Sequence, residues 1–365
     1  MLGNAAAFHD RPLTHYWSLA DLSRSKLVTL HKLNGPANQH IPQHSIAGVR
    51  FLCCARCSLG SAFRFFLLTA VFLNFYPAYP QSPSKPCKST VTGDLEIVPL
   101  TSKIYGNTRN LRIWLPPGYH DAANTQTTYS VLYMFDGTWL FDRCTAPGTQ
   151  GEWKIDETLT GLITQQQVEP IIVVGIDSNA NRDVELAPSG NPLFYGGPKV
   201  FQGAHVPEFL TDEVLPYVAS HYRVKKGREH TGVGGSSLGG VAALTALLKR
   251  PDVFGIGLLE STSMQYGNGD LLRETMPVVM GPVRVSIGVG TVELGPDAKM
   301  LGVPNYDEAF VSLNRQLADN FKAALSNHPD VLFTVQQGAN HGAAAWSSRF
   351  PAAVKFLYPP PNALQ

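Results

Sequence analysis

The sequence predicts an α/β protein, with one mostly parallel sheet and helices on both of its faces. Two observations carry this. From about residue 91 onward, short apolar runs rich in β-branched residues alternate with segments of helical spacing. Several runs, such as 129–135 (YSVLYMF) and 170–176 (PIIVVGI), are apolar without alternation. That pattern marks strands buried on both sides, which need helices above and below. No internal repeat interrupts the pattern, and residues 89–365 are assigned to a single domain.

The elements follow in order. Residues 102–106 and 111–116 read as early strands joined by a turn at Gly106-Asn107. The run 129–135 ends at Asp136-Gly137, and 152–165 spaces Ile155, Leu159, Leu162 and Ile163 as a helix does. Segment 206–222 gathers Phe209, Leu210, Val214, Leu215 and Val218 helically, with Pro207 tolerated in the first turn. Residues 231–235 form a strand leading into Ser237, and 241–248 a helix that stops before Pro251. Three more strands are expected at 254–259, 283–289 and 331–335, a helix at 310–325, and a closing helix at 343–358. The Pro/Gly-rich stretch 191–202 (NPLFYGGPKVFQ) reads as an excursion over the sheet.

Composition narrows the function classes. Of 365 residues, 44% are apolar and 16% charged, enough for a sizeable core and too little charge for a disordered chain. Lys plus Arg number 29 against 28 Asp plus Glu, and a net charge of +1 argues against a nucleic-acid partner. No run reaches the roughly 18 apolar residues of a membrane span.

Residues 1–88 read as a poorly ordered extension. His9, His15, His31, His40 and His44 lie there without metal-ligand spacing. Arg50, Arg56 and Arg64 precede an apolar run within 65–76, and a polar, Pro-rich segment follows. This is the layout of a secretory signal, so a secreted or periplasmic location is expected, with a cytoplasmic one as the alternative. A signal opens its chain, which places the expected start downstream of Met1, near Val49 or Leu59. Cys53, Cys54 and Cys57 precede the run. Cys87 and Cys144 remain as an even pair, read as two separate thiols, with a disulfide as the alternative in an oxidising compartment.

Gly235-Ser236-Ser237-Leu238-Gly239 carries the chemistry. A G-x-S-x-G between an apolar strand and a helix is the setting of a nucleophile elbow, and only Ser237 fits its frame. A serine hydroxyl needs a base, and the base needs an orienting carboxylate. Two histidines lie beyond Ser237, His328 and His341. His341 follows the strand 331–335, at the end where open α/β sheets place their sites, and is the expected base. Glu293 follows the strand 283–289 and is the expected acid, with Asp297 as runner-up. Leu238 N–H is one expected oxyanion donor, and Gly137 or Thr138 the other. Arg182, in the loop after 170–176, is a candidate for an anionic substrate group or a solvated loop residue. Trp139, Trp153 and Trp346 are candidates for an acyl pocket, with an aromatic core as the competing reading. No metal and no other cofactor is expected.

These residues resemble the putative-esterase (esterase D-like) family of α/β-hydrolases. The resemblance spans about residues 95–360 and rests on 131–142 (VLYMFDGTWLFD), 151–159 (GEWKIDETL), 229–240 (EHTGVGGSSLGG), 251–254 (PDVF), 290–293 (GTVE) and 341–346. Asp136-Gly137 with Gly151-Glu152-Trp153 is most similar to the enterochelin-esterase and feruloyl-esterase branches, although Gly342-Ala343 departs from the former's common Asn-Glu. The resemblance implies an α/β-hydrolase fold, a Ser237–His341–Glu293 triad, an acyl-enzyme, and a small-molecule or carbohydrate-linked ester as substrate. An acyltransferase with the same triad and a non-catalytic module of the same fold are the rival expectations.

Overall fold

The structure, a computed structural model, describes residues 87–148, 151–189, 200–275, 280–295, 305–324 and 329–360. The signal-like run, His328, Asp297 and most of the loop 191–202 lie outside these residues. No helix among the described residues is long and apolar enough to cross a membrane.

Eight strands form one sheet: β1 (Asp94–Ser102), β2 (Asn107–Leu115), β3 (Ser130–Phe135), β4 (Ile171–Ile176), β5 (Thr231–Ser236), β6 (Ile256–Glu260), β7 (Arg284–Gly290) and β8 (Asp330–Gln336). Their spatial order is β1-β2-β4-β3-β5-β6-β7-β8. β1 and β2 run antiparallel, β2 meets β4 antiparallel, and the rest pair parallel. All carboxyl ends from β3 to β8 therefore share one edge.

Every residue of β3 and β4 is buried, which explains their unbroken apolar runs. The alternation survives inside. Val131, Tyr133 and Phe135 of β3 join one core, while Leu132 and Met134 join the other. α1 (Ile155–Thr164) and α7 (Ala343–Leu357) cover the second core. α4 (Leu238–Lys249) and α6 (Tyr306–Lys322) cover the first, together with α3. α3 is continuous through Val206–Glu208, the π-helical Phe209–Val214 and Leu215–His221. Pro216 has no N–H to close the preceding turn, and the widened stretch sits directly before it. Short helices α2 (Arg182–Leu186) and α5 (Asp270–Glu274) complete the set used below.

Two expectations need correction. The first strand is Asp94–Ser102, and residues 103–106 form the turn into β2 rather than a strand. Ile104 and Tyr105 pack on the core from that turn, which gave them a strand-like look. The true strand was masked by Pro99 and an exposed Ile97, both compatible with a sheet edge. The two cysteines are also not separate thiols. Cys87 and Cys144 form a disulfide with Cα atoms 5.6 Å apart. Neighbouring hydrogen bonds hold the same two segments together, from Ser89 Oγ to Asp142 Oδ2 (2.9 Å) and from Arg143 N to Thr90 Oγ1 (3.0 Å).

Thr92 N–H in this segment donates to Asp156 Oδ2 at the start of α1. Asp156 is fully buried, and burial, with the neighbouring Glu157 carboxyl, pushes its pKa up to about 8. The folded chain thus keeps a proton that the unfolded chain releases near pH 4. Stability from this site is complete below about pH 4 and is lost as pH rises through about 8. Asp156→Asn is expected to flatten that loss, since the amide cannot ionise. Urea midpoints between pH 5 and 9 check this, and an unchanged slope would refute it.

Candidate active site

β5 ends in a bend at Ser237, which has φ 56° and ψ −122°. This left-handed conformation is costly for a residue with a Cβ, so the surroundings must impose it. Gly235 makes the bend possible: a Cβ there would lie 2.5 Å from the Gly239 carbonyl carbon. Ser237 N–H donates to Glu260 O (3.0 Å), and Ser263 N–H donates to Ser237 O (3.3 Å). The nucleophile candidate is thereby tied to the end of the adjacent strand β6. Its hydroxyl, partly exposed, lies 3.3 Å from Ser263 Oγ.

Glu293 follows β7 and His341 follows β8, at the same sheet edge as Ser237. His341 Nδ1 and Glu293 Oε2 lie 2.6 Å apart, and His341 N–H donates to Glu293 O (3.1 Å). The Glu293 side chain is wholly buried, whereas the imidazole is 22% exposed. A proton on Nδ1 satisfies the carboxylate and leaves the Nε2 lone pair open. Phe310 and Trp346 stand edge-on to the ring, with centroids 5.8 and 5.3 Å away.

The second oxyanion candidate lies after β3, the strand beside β5. Asp136 adopts φ 61° and starts a tight turn over Gly137–Trp139. Within it Trp139 N–H donates to Asp136 O and Leu140 N–H to Gly137 O. The N–H groups of Gly137 and Thr138 open this turn, and that of Leu238 opens α4, positions with no intrahelical acceptor. Glycine is required at 137, because a Cβ would approach Asp177 Oδ1 to 2.6 Å.

The structure reassigns two expected substrate contacts. Arg182, at the start of α2, directs Nε and Nη2 at the two oxygens of Asp136, each at 2.6 Å. Burial opposes its charge, but Asp136 outweighs burial and holds Arg182 firmly protonated. The guanidinium fork is thus filled and braces the turn instead of awaiting an anion. Trp153 is 1% exposed and packs against Trp346 and Phe350, so it is core. Trp346 backs the His341 ring, and Trp139 is half-buried beside the second core.

Four site-bordering residues escaped the sequence reading: Glu260, Ser261, Ser263 and Arg349. Arg349 Nε donates to Glu260 Oε2 (2.7 Å), and both side chains are buried. Burial pushes the Glu260 carboxyl up to about 7 against the pull of Arg349, with the Glu293 charge adding to the rise. The available signal was a glutamate closing the apolar strand of segment 254–260. Among the described residues, Asp94, Glu96 and His120 form the one trio with metal-ligand proximity. It sits at the opposite sheet edge, with His120 bonded to Asp94 and Tyr222 to Glu96.

A sheet of this order, with its bend after β5, defines an α/β-hydrolase. Residues 102–357 match the family described as "Putative esterase", and the chain belongs to that family, as a carboxylic ester hydrolase. It is 24% identical over 257 residues to an uncharacterised protein, YbbA, of Bacillus subtilis (strain 168), covering 68% of this chain and 92% of that one. It is 27% identical over 169 residues to an endo-1,4-beta-xylanase/feruloyl esterase of Xylanibacter ruminicola, covering 46% of this chain and 21% of that longer protein. Its fold is similar to the enterobactin esterase FES from Shigella flexneri, with a TM-score of 0.54 at 20% identity, covering 76% of this chain and 63% of that one.

Proposed function

We propose that the chain cleaves carboxylic esters through an acyl-enzyme on Ser237. The observation that carries this is the 2.6 Å pairing of His341 Nδ1 with a fully buried Glu293, at the sheet edge where Ser237 is held in a bend. His341 Nε2 takes the Ser237 proton as Oγ attacks the acyl carbonyl. The N–H groups of Leu238 and of Gly137 or Thr138 receive the developing oxyanion. The imidazolium returns the proton to the leaving alcohol, and water then repeats the cycle to release the acid. Glu293 stabilises the imidazolium without itself taking the proton.

The substrate class we favour is an ester of an aromatic or hydroxy acid, small or carbohydrate-linked. Support comes from relatives whose names speak of feruloyl and enterobactin esters. We further propose export to an oxidising compartment, supported by the Cys87–Cys144 disulfide. The test is fluorophosphonate labelling followed by peptide mapping, with a panel of acetyl, feruloyl and longer acyl esters. Labelling at Ser237 with turnover of the panel supports the reading, and labelling elsewhere overturns it.

The Asp136–Arg182 fork yields a smaller prediction. Arg182→Lys keeps the charge but loses the bidentate grip, which loosens the turn carrying Gly137. A fall in kcat of about tenfold or more, with KM little changed, is expected if that turn serves the oxyanion. Steady-state kinetics decide it, and parental kcat would refute the role.

A further inference from the structure

We propose that Ser261 is a positioning residue that aims Glu293 at His341, an assignment that rests on the triad reading above. Ser261 is fully buried just past β6, with φ 44°. Its Oγ meets three groups: Glu293 Oε1 (2.8 Å), Trp346 Nε1 (3.0 Å) and Arg349 Nη2 (3.3 Å). The indole and guanidinium nitrogens can only donate. They therefore occupy the hydroxyl's lone pairs, and its one hydrogen is left for the Glu293 carboxylate.

Gly290 N–H donates to the same Oε1 at 2.6 Å. With two donors fixing Oε1, the carboxylate cannot swivel, and Oε2 stays on His341 Nδ1. Arg349 is itself immobilised by Glu260, and Glu260 O holds Ser237 N–H. Residues 260–263 thus link the nucleophile candidate to its acid through one strand end. Among the described residues, α6 brings two further titratable groups near Glu293: Asp307, which accepts from Leu294 N–H, and Tyr306, whose hydroxyl accepts a bond from Gln265 and is pushed upward by burial.

The test compares Ser261→Ala and Ser261→Gly with the parent and with Ser237→Ala. Glycine suits the positive φ and keeps the variant readable if alanine impairs folding. Expected is a fall in kcat per fluorophosphonate-titrated site of about tenfold to a hundredfold, with KM within about twofold. The acid limb of the kcat/KM profile should move to lower pH, because a carboxylate free to swing off Nδ1 stabilises the imidazolium less. Trp346→Phe, which keeps the ring but frees the hydroxyl, should lose less in the same direction. Parental per-site kcat and pH profile in Ser261→Gly, with Ser237→Ala inactive, overturns the positioning role alone. A loss of titratable sites without a change per site overturns it too. Full activity in Ser237→Ala overturns the triad reading instead.

Discussion

Ser237→Ala is expected to lower ester turnover by about 10⁴- to 10⁶-fold while leaving the fold intact. The side chain points from a bend that Gly235 and the bond to Glu260 O enforce, so removing Oγ does not release the backbone. Alanine keeps the Cβ and with it the cost of φ 56°. Ser237→Gly should be equally inactive yet more stable, since glycine adopts this conformation freely. Initial rates on an acyl ester and urea midpoints for both variants separate the chemical from the conformational effect. Turnover within tenfold of the parent in either variant would remove Ser237 from the mechanism.

His341→Ala should cost nearly as much, and by a different route. The nucleophile loses its base, and the buried Glu293 side chain is left without its ring partner. Turnover is expected to fall by about 10⁴-fold or more. The two losses should not add, because each alone disables the same step. The double variant should therefore be no slower than Ser237→Ala. The imidazole of His341 is 22% exposed, so the vacated space opens to solvent. Added imidazole should then restore part of the activity in His341→Ala and none in Ser237→Ala. Equal rescue of both variants would contradict the assignment.

What was legible in the sequence was what local pattern encodes. The unbroken apolar runs of β3 and β4 announced burial on both faces, and Gly235 to Gly239 announced the bend. His341 and Glu293 could be picked because each follows an expected strand at its carboxyl end. Partners distant in sequence were not legible. Cys87 and Cys144 stand 57 residues apart, and Ser261 and Glu293 stand 32 apart. Nothing local says that Arg182 will spend its fork on Asp136. Such pairings are decided by how the sheet stacks its strand ends, which single-sequence pattern does not specify. β1 failed for a related reason, since an edge strand has one hydrogen-bonded neighbour and tolerates exposed and proline positions.

The closing helix α7 does more than cover a core. It brings Trp346 and Arg349 to the Glu293 side of the edge, and Phe350, Val354 and Leu357 to the sheet. Just beyond it, Tyr358 O–H donates to Val131 O of β3. During synthesis every strand of the sheet precedes this helix, so one face of the nascent sheet stays oily and partly unroofed until residues 343–358 emerge. A truncation before residue 343 is therefore expected to give an aggregation-prone, inert protein, since it removes both that cover and the Trp346 and Arg349 contacts behind Glu293.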